Sequence, residues 1–190
     1  MKREEFLKYP ELGEKQLYEA LERAWGQTRF ALERFGTDFK HIFSTNQFYT
    51  KAENNQWTNG FWTGELWLAY ECTGDPCFRD AAMAHTVSFR ERAERRIETD
   101  THDLGFLYSP SCVAAYKLTG DKNARETALL AADMLLERFH EKGQFLQAWG
   151  SLDDPGNYRL IIDCLLNLPL LYWASAETGD DKYREKAQPH

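Results

Sequence analysis

Ala115-Tyr116-Lys117-Leu118-Thr119-Gly120-Asp121 reads as the end of one helix and the start of the next. A glycine just past a helix end takes the left-handed conformation that closes the last turn, and an aspartate beside it caps the following helix. The same punctuation closes Tyr70-Glu71-Cys72-Thr73-Gly74-Asp75 and Ala176-Glu177-Thr178-Gly179-Asp180. The three glycines lie 46 and 59 residues apart, the length of one helical hairpin plus a connecting loop, so the chain carries an internal repeat.

The helices on either side of each turn differ in character. Leu17, Ala20, Leu21, Ala24, Trp25, Thr28, Ala31, Leu32 and Phe35 form the stripe of an amphipathic helix, as do Leu129, Ala132, Leu136 and Phe139 after Asp121. The stretch 75–97 is similar but more charged, and Arg90, Glu91, Arg92, Glu94, Arg95 and Arg96 read as a solvated face. By contrast Phe61–Cys72, Ser111–Leu118 and Leu160–Trp173 are apolar nearly all round, the last carrying Asp163 as its single charge, which predicts burial on all sides. Outer amphipathic helices alternating with inner apolar ones describe an all-α toroid of helical hairpins. Six helices are expected, with a seventh opening at Asp181, so that residues 1–190 read as the N-terminal half of one larger barrel domain. The short Thr-Gly-Asp turns then share one rim, and the longer connections near 36–60, 97–109 and 141–158 share the other, where function is expected.

Composition excludes several classes. Thirty acidic residues against 23 basic ones give a net charge of −7, which argues against nucleic acid as a partner. No apolar run is long enough to cross a bilayer, and residues 1–30 hold no secretory h-region. Cys72, Cys77, Cys112 and Cys164 form no CxxC pair and read as reduced thiols of a cytoplasmic protein. The histidines show no metal-binding spacing, so no metal site is expected.

Three clusters fall on the long-loop rim. In Gln56-Trp57-Thr58-Asn59-Gly60-Phe61-Trp62-Thr63-Gly64, indoles alternate with amides and hydroxyls, a pattern suited to stacking on a sugar ring and reaching its hydroxyls. Trp57 and Asn59 are the candidates, while Trp62 and Trp67, at helical spacing, read as core. In Thr101-His102-Asp103-Leu104-Gly105-Phe106, Asp103 sits before the expected helix start at Ser109-Pro110 and is either a turn former or a rim carboxylate. In Ile162-Asp163-Cys164-Leu165-Leu166-Asn167-Leu168-Pro169, a lone carboxylate among apolar residues is either a structural acid or a proton donor whose pKa burial and a second carboxylate raise. Asn167, four residues on, is placed to hydrogen-bond it, and Pro169 is expected to kink the helix. Two carboxylates arriving at one rim suit glycoside chemistry.

The segments Trp57–Trp62, His102–Phe106 and Ile162–Trp173 resemble the unsaturated glucuronyl hydrolases of glycoside hydrolase family 88, over a span from about residue 40 to the end. The resemblance implies a six-hairpin (α/α)6 barrel and, as substrate, a lyase-derived glycosaminoglycan oligosaccharide with a 4,5-unsaturated uronic acid at its non-reducing end. It implies hydration of the C4=C5 enol ether without metal or cofactor: an acid protonates C4, water adds at C5, and the hemiketal opens and expels the aglycone. By the same resemblance Asp163 is the general acid and base and Asp103 the second essential carboxylate. The resemblance likewise implies that Trp57, His102 and Trp149 surround the sugar. A glutamine and an arginine-bearing segment of the family's later half lie beyond His190, so the 190 residues alone are expected to be inactive. Rival readings are a hydrolase of pectin-derived unsaturated galacturonyl-rhamnose and a sugar epimerase on the same barrel. A third is a helical-repeat binding module, whose repeats of about 34 residues fit the observed spacings poorly.

Overall fold

The computed structural model describes Lys8 and residues 11–190; part of the stretch searched for a secretory leader therefore lies outside the described residues. The elements run α1 (Glu14–Phe35), β1 (Phe39–Thr45), β2 (Phe48–Ala52), α2 (Asn59–Thr73), α3 (Pro76–Glu94), α4 (Leu104–Tyr108), a π-helical turn (Ser109–Val113) and α5 (Ala114–Thr119). They continue with α6 (Lys122–Leu136), β3 (Phe139–His140), β4 (Phe145–Leu146), a 3-10 turn (Pro155–Asn157), a second one (Ile162–Leu166), α7 (Pro169–Thr178) and α8 (Lys182–Ala187). Among the described residues no helix is long and apolar enough to cross a membrane.

The three repeated turns behave as their chemistry dictates. Gly74, Gly120 and Gly179 follow α2, α5 and α7 at φ +70°, +75° and +73°, each amide returning to the helix it ends. Asp75 and Asp121 accept hydrogen bonds from the amides of Cys77 and Ala124, capping α3 and α6. The inner helices α2, α4–α5 and α7 and the outer helices α3 and α6 meet in one core of Leu66, Trp67, Phe78, Phe89, Leu107, Tyr108, Leu135 and Leu171. Each such side chain contributes about 1.5–3 kcal/mol by leaving water. Trp62 and Trp67 are core, as read from their spacing.

Four local features depart from the expectations. The connection 36–60 holds a β-hairpin, with Asn46 and Gln47 at its tip in the left-handed region, and a second, shorter hairpin pairs β3 with β4. The second inner helix starts at Leu104 rather than at Ser109; Pro110 lies inside it, and the widened π turn accommodates the amide that proline lacks. Leu160–Trp173 is not one buried helix. Residues 162–166 make a 3-10 turn with exposed Ile162, Leu165 and Leu166, and Pro169 occupies the first turn of α7, where a missing amide costs no hydrogen bond and no kink arises. Arg92, read as part of a solvated face, is fully buried.

Candidate active site

Close backbone contacts bring the mouths of the three inner helices together. A Cβ on Gly60 would lie 2.1 Å from the carbonyl oxygen of Phe106, and one on Gly105 would lie 2.3 Å from Cα of Asn167. Only glycine permits α2 to lie this close to α4, and α4 to the turn that carries Asp163. The Phe106 amide donates to Asn167 Oδ1 at 2.7 Å, fastening the second contact. Asn167 is thus engaged with α4, and its Nδ2 reaches only the backbone carbonyl of Asp163, at 3.4 Å; the expected bond to the Asp163 carboxylate is absent.

At this mouth His102 Nε2 stands 3.4 Å from Asp103 Oδ1 and 3.6 Å from Asp163 Oδ1. One ligand-capable atom of each of the three residues lies within 4.8 Å of the others, close enough to hold a cation. Asp103 immediately precedes α4 and accepts a hydrogen bond from Thr101 Oγ1 at 2.7 Å. His102 is held by its amide, which donates to the Ala148 carbonyl at 2.7 Å, and its Nδ1 has no partner. That bond, with the bridge between Thr101 and Trp149, joins the 97–103 and 145–150 connections into one rim.

Burial divides the two acids. The Asp103 side chain is 16% exposed and that of Asp163 38%, so Asp163 faces the open side with Asp103 behind it. Loss of hydration pushes the Asp103 carboxyl above its usual range and the Asp163 charge pushes it further, against the Thr101 hydroxyl and His102, which hold it down. Burial likewise lowers His102, against the pull of both carboxylates, so the ring is neutral near pH 7. The burial expected of Asp163 from its apolar neighbours falls on Asp103 instead, because those neighbours are exposed. Beneath the pair, Cys164 is buried and its thiol is pushed up to about 12, which makes it inert.

Trp57 and Trp149 are both partly exposed at this rim. Trp57 packs on Phe61 and Phe106, and the Arg159 guanidinium lies 5.2 Å over the Trp149 ring. Asn59 is buried: its Oδ1 accepts from the Gln56 amide at 2.7 Å, which shapes the Trp57 segment, and its Nδ2 has no partner. Arg92 and Arg138 were missed by the sequence reading. Both are buried beside the rim loops, Arg138 donating to the carbonyls of Gln147 and Gly150.

Residues 32–190 match the model of Glycosyl Hydrolase Family 88. The chain is 49% identical over 187 residues to an unsaturated chondroitin disaccharide hydrolase of Streptococcus pneumoniae, covering 98% of this chain and 47% of that protein. A crystal structure of unsaturated glucuronyl hydrolase from Streptococcus agalactiae superposes with a TM-score of 0.94 at 47% identity, over 97% of this chain and 47% of that one. A mutant of the same enzyme complexed with dGlcA-GalNAc6S gives a TM-score of 0.84 at 40% identity, over 97% and 44%. The hairpins described above are therefore those of an (α/α)6 barrel. The chain spans about half the length of the curated relatives it matches.

Proposed function

The chain belongs to glycoside hydrolase family 88, and from that membership we propose that its rim carboxylates serve to hydrate the C4=C5 enol ether of an unsaturated uronic acid at the non-reducing end of a glycosaminoglycan oligosaccharide. The observation that carries this reading is the convergence of Asp103, His102 and Asp163 within 4.8 Å at the mouth of the inner helices. One oxygen of each carboxyl lies within 4.8 Å of one of the other, a closer approach than the separation of about 6.5–9.5 Å by which an inverting glycosidase makes room for its water. They suit a different division of labour, with both acids on the same side of the sugar.

Asp163, the more exposed acid, donates its proton to C4, and positive charge develops at C5 and the ring oxygen. The carboxylate so formed accepts a proton from the water that adds to C5, so the acid is regenerated and one water is consumed. The C5 hemiketal opens, and the aglycone leaves from C1. Asp103, behind it, is the second carboxyl of the pair and orients the sugar ring from its place at the start of α4. His102 Nε2 lies against one oxygen of each carboxyl, and Trp57 and Trp149 present ring faces to the sugar. Residues 1–190 act in this reading as part of one barrel domain that a second set of hairpins completes. The free thiols of Cys72, Cys77, Cys112 and Cys164 support work in the reducing cytoplasm.

The test follows loss of the conjugated double bond's absorbance in an unsaturated chondroitin disaccharide. The chain is assayed alone and mixed with the C-terminal half of the Streptococcus pneumoniae relative, whose own two halves mixed together serve as the control. Turnover in the mixture and none by the chain alone is the expected result. A mixture that stays silent while the control turns over, or a preference for a pectin-derived unsaturated galacturonyl-rhamnose, overturns the reading.

A further inference from the structure

Arg92 lies near the C-terminal end of α3 and is 1% exposed, and all its acceptors are carbonyl or amide oxygens. Nε donates to the Ile97 carbonyl and Nη2 to that of Glu98, each at 3.1 Å. Nη1 donates to Asn54 Oδ1 and to the Gln56 carbonyl, each at 3.0 Å. One planar fork therefore holds two segments that are otherwise separate: 54–56, which leads directly into Trp57, and 97–98, which leads into His102 and Asp103. The second segment is held against its own preference, because Arg96 and Glu98 sit at φ +51° and +48°, a conformation that side chains disfavour and that persists only when surroundings enforce it. The first is tightened by neighbours of the same kind: Gln56 Oε1 accepts from the Ile42 amide and Asn54 Nδ2 donates to Ser88 Oγ.

We propose that Arg92 is a positioning residue of the site, setting the distance between the sugar-facing Trp57 segment and the His102–Asp103 segment; the assignment rests on the hydration reading. A fork of five donors in one plane can span both segments, whereas a lysine reaches one of them at a time. The buried charge has a second effect. The groups facing Asp103 are Thr101, His102, Asp163 and Arg92, and those facing Arg92 are Tyr108, Glu98 and Asp103. Arg92 thus lowers the Asp103 carboxyl against the burial that raises it.

The test compares Arg92→Met and Arg92→Lys with the parent chain by amide hydrogen exchange, which needs no turnover. In Arg92→Met, exchange over 54–58 and 97–103 rises by about tenfold or more, the equivalent of a lost buried hydrogen bond, while α6 keeps the parent rate. Arg92→Lys loosens the same two segments by a smaller factor. In the complemented enzyme, kcat falls on the order of a hundredfold in Arg92→Met with a smaller change in KM, as expected of a misplaced reacting group. The acid limb of its pH profile moves to higher pH, and in Arg92→Lys the limb stays, because the charge is kept. Exchange unchanged in the two segments, or raised equally over every helix, overturns the proposal. If Arg92→Met does not fold, Arg92→Lys decides alone by the same two criteria. A silent parent enzyme overturns the hydration reading and leaves the exchange result standing; an active parent with unaltered exchange in the variants does the reverse.

Discussion

The Phe106 amide donates to Asn167 Oδ1 across 61 residues of chain, at 2.7 Å, and the Gly105 beside it lies flat on the Asn167 backbone. This one junction sets the first turn of α4 against the turn of Asp163, and so makes neighbours of two acids that the chain keeps 60 residues apart. The acid pair is a product of backbone packing before it is a product of its own side chains.

Gly105→Ala therefore strikes the site through the fold. Its methyl would meet Cα and the carbonyl oxygen of Asn167 at 2.3 and 2.4 Å, backbone atoms that cannot turn aside. Overpacking of this kind costs about 1–3 kcal/mol. Asn167→Ala instead leaves the Phe106 amide buried without an acceptor, at a similar cost of about 1–3 kcal/mol. Urea denaturation reads both losses, and equal stability of either variant and the parent contradicts the prediction.

Asp163→Asn removes the proton donor and keeps the shape of the mouth. Hydration by the complemented enzyme is expected to fall by a factor on the order of 100 to 10,000 or more, while the unsaturated disaccharide still binds in a calorimeter. Loss of binding together with turnover would assign Asp163 to holding the sugar instead.

Asp103→Asn is expected to trade activity for stability. Burial raises the Asp103 carboxyl in the folded protein, so the folded state holds this proton more tightly than the unfolded chain does. Ionisation at neutral pH consequently destabilises the fold, and that loss shrinks as pH falls through the raised value towards the ordinary 3.8. The variant should melt above the parent at pH 7 and together with it near pH 4. A lower melting temperature at pH 7 would show that the carboxylate's bonds to its neighbours outweigh its desolvation.

His85 predicts the opposite slope. It is buried between Thr63, whose hydroxyl lies 3.0 Å from Nδ1, and the Phe39 ring stacked at 4.4 Å, and desolvation lowers it from 6.5 to about 4. The unfolded chain takes up the proton first as pH falls, so stability is level above pH 6.5 and declines between there and about 4. The decline amounts to about 3 kcal/mol for this group. Chemical denaturation from pH 7 to 4.5 measures it, and His85→Gln should remove most of the slope.

What the sequence disclosed follows from how local each signal is. The three Thr-Gly-Asp turns were legible because a left-handed glycine and a capping aspartate act within a few residues, and Gly74, Gly120 and Gly179 all take that form. Asp103 and Asp163 were legible as rim acids through the alternation of inner and outer helices. The hairpin 39–52 was not, because its two-residue tip uses Asn46 and Gln47 at positive φ without the glycine that announces such turns. Pro110 and Pro169 were read in reverse, one as a helix start and the other as a kink. The sign of a proline depends on where its helix begins, and the second inner helix begins at Leu104, six residues before Pro110. Arg92 stood hidden in a run of charges, since only its tertiary partners distinguish a buried fork from a solvated one.

The apolar residues left at the surface carry a last prediction. Ile162 is 82% exposed, Leu165 and Leu166 are more than half exposed, and Leu160 and Ile161 adjoin them on the same strand of chain. Clustered apolar side chains of this size mark a surface that associates, in contrast to single scattered ones. The chain on its own is expected to form higher species as its concentration rises, seen by light scattering after size-exclusion chromatography. Leu166→Gln should shift that equilibrium towards monomer without moving Asp163, because the Leu166 side chain is absent from the core that holds the Cys164 and Leu168 side chains. A parent chain that stays monomeric at all concentrations contradicts the prediction.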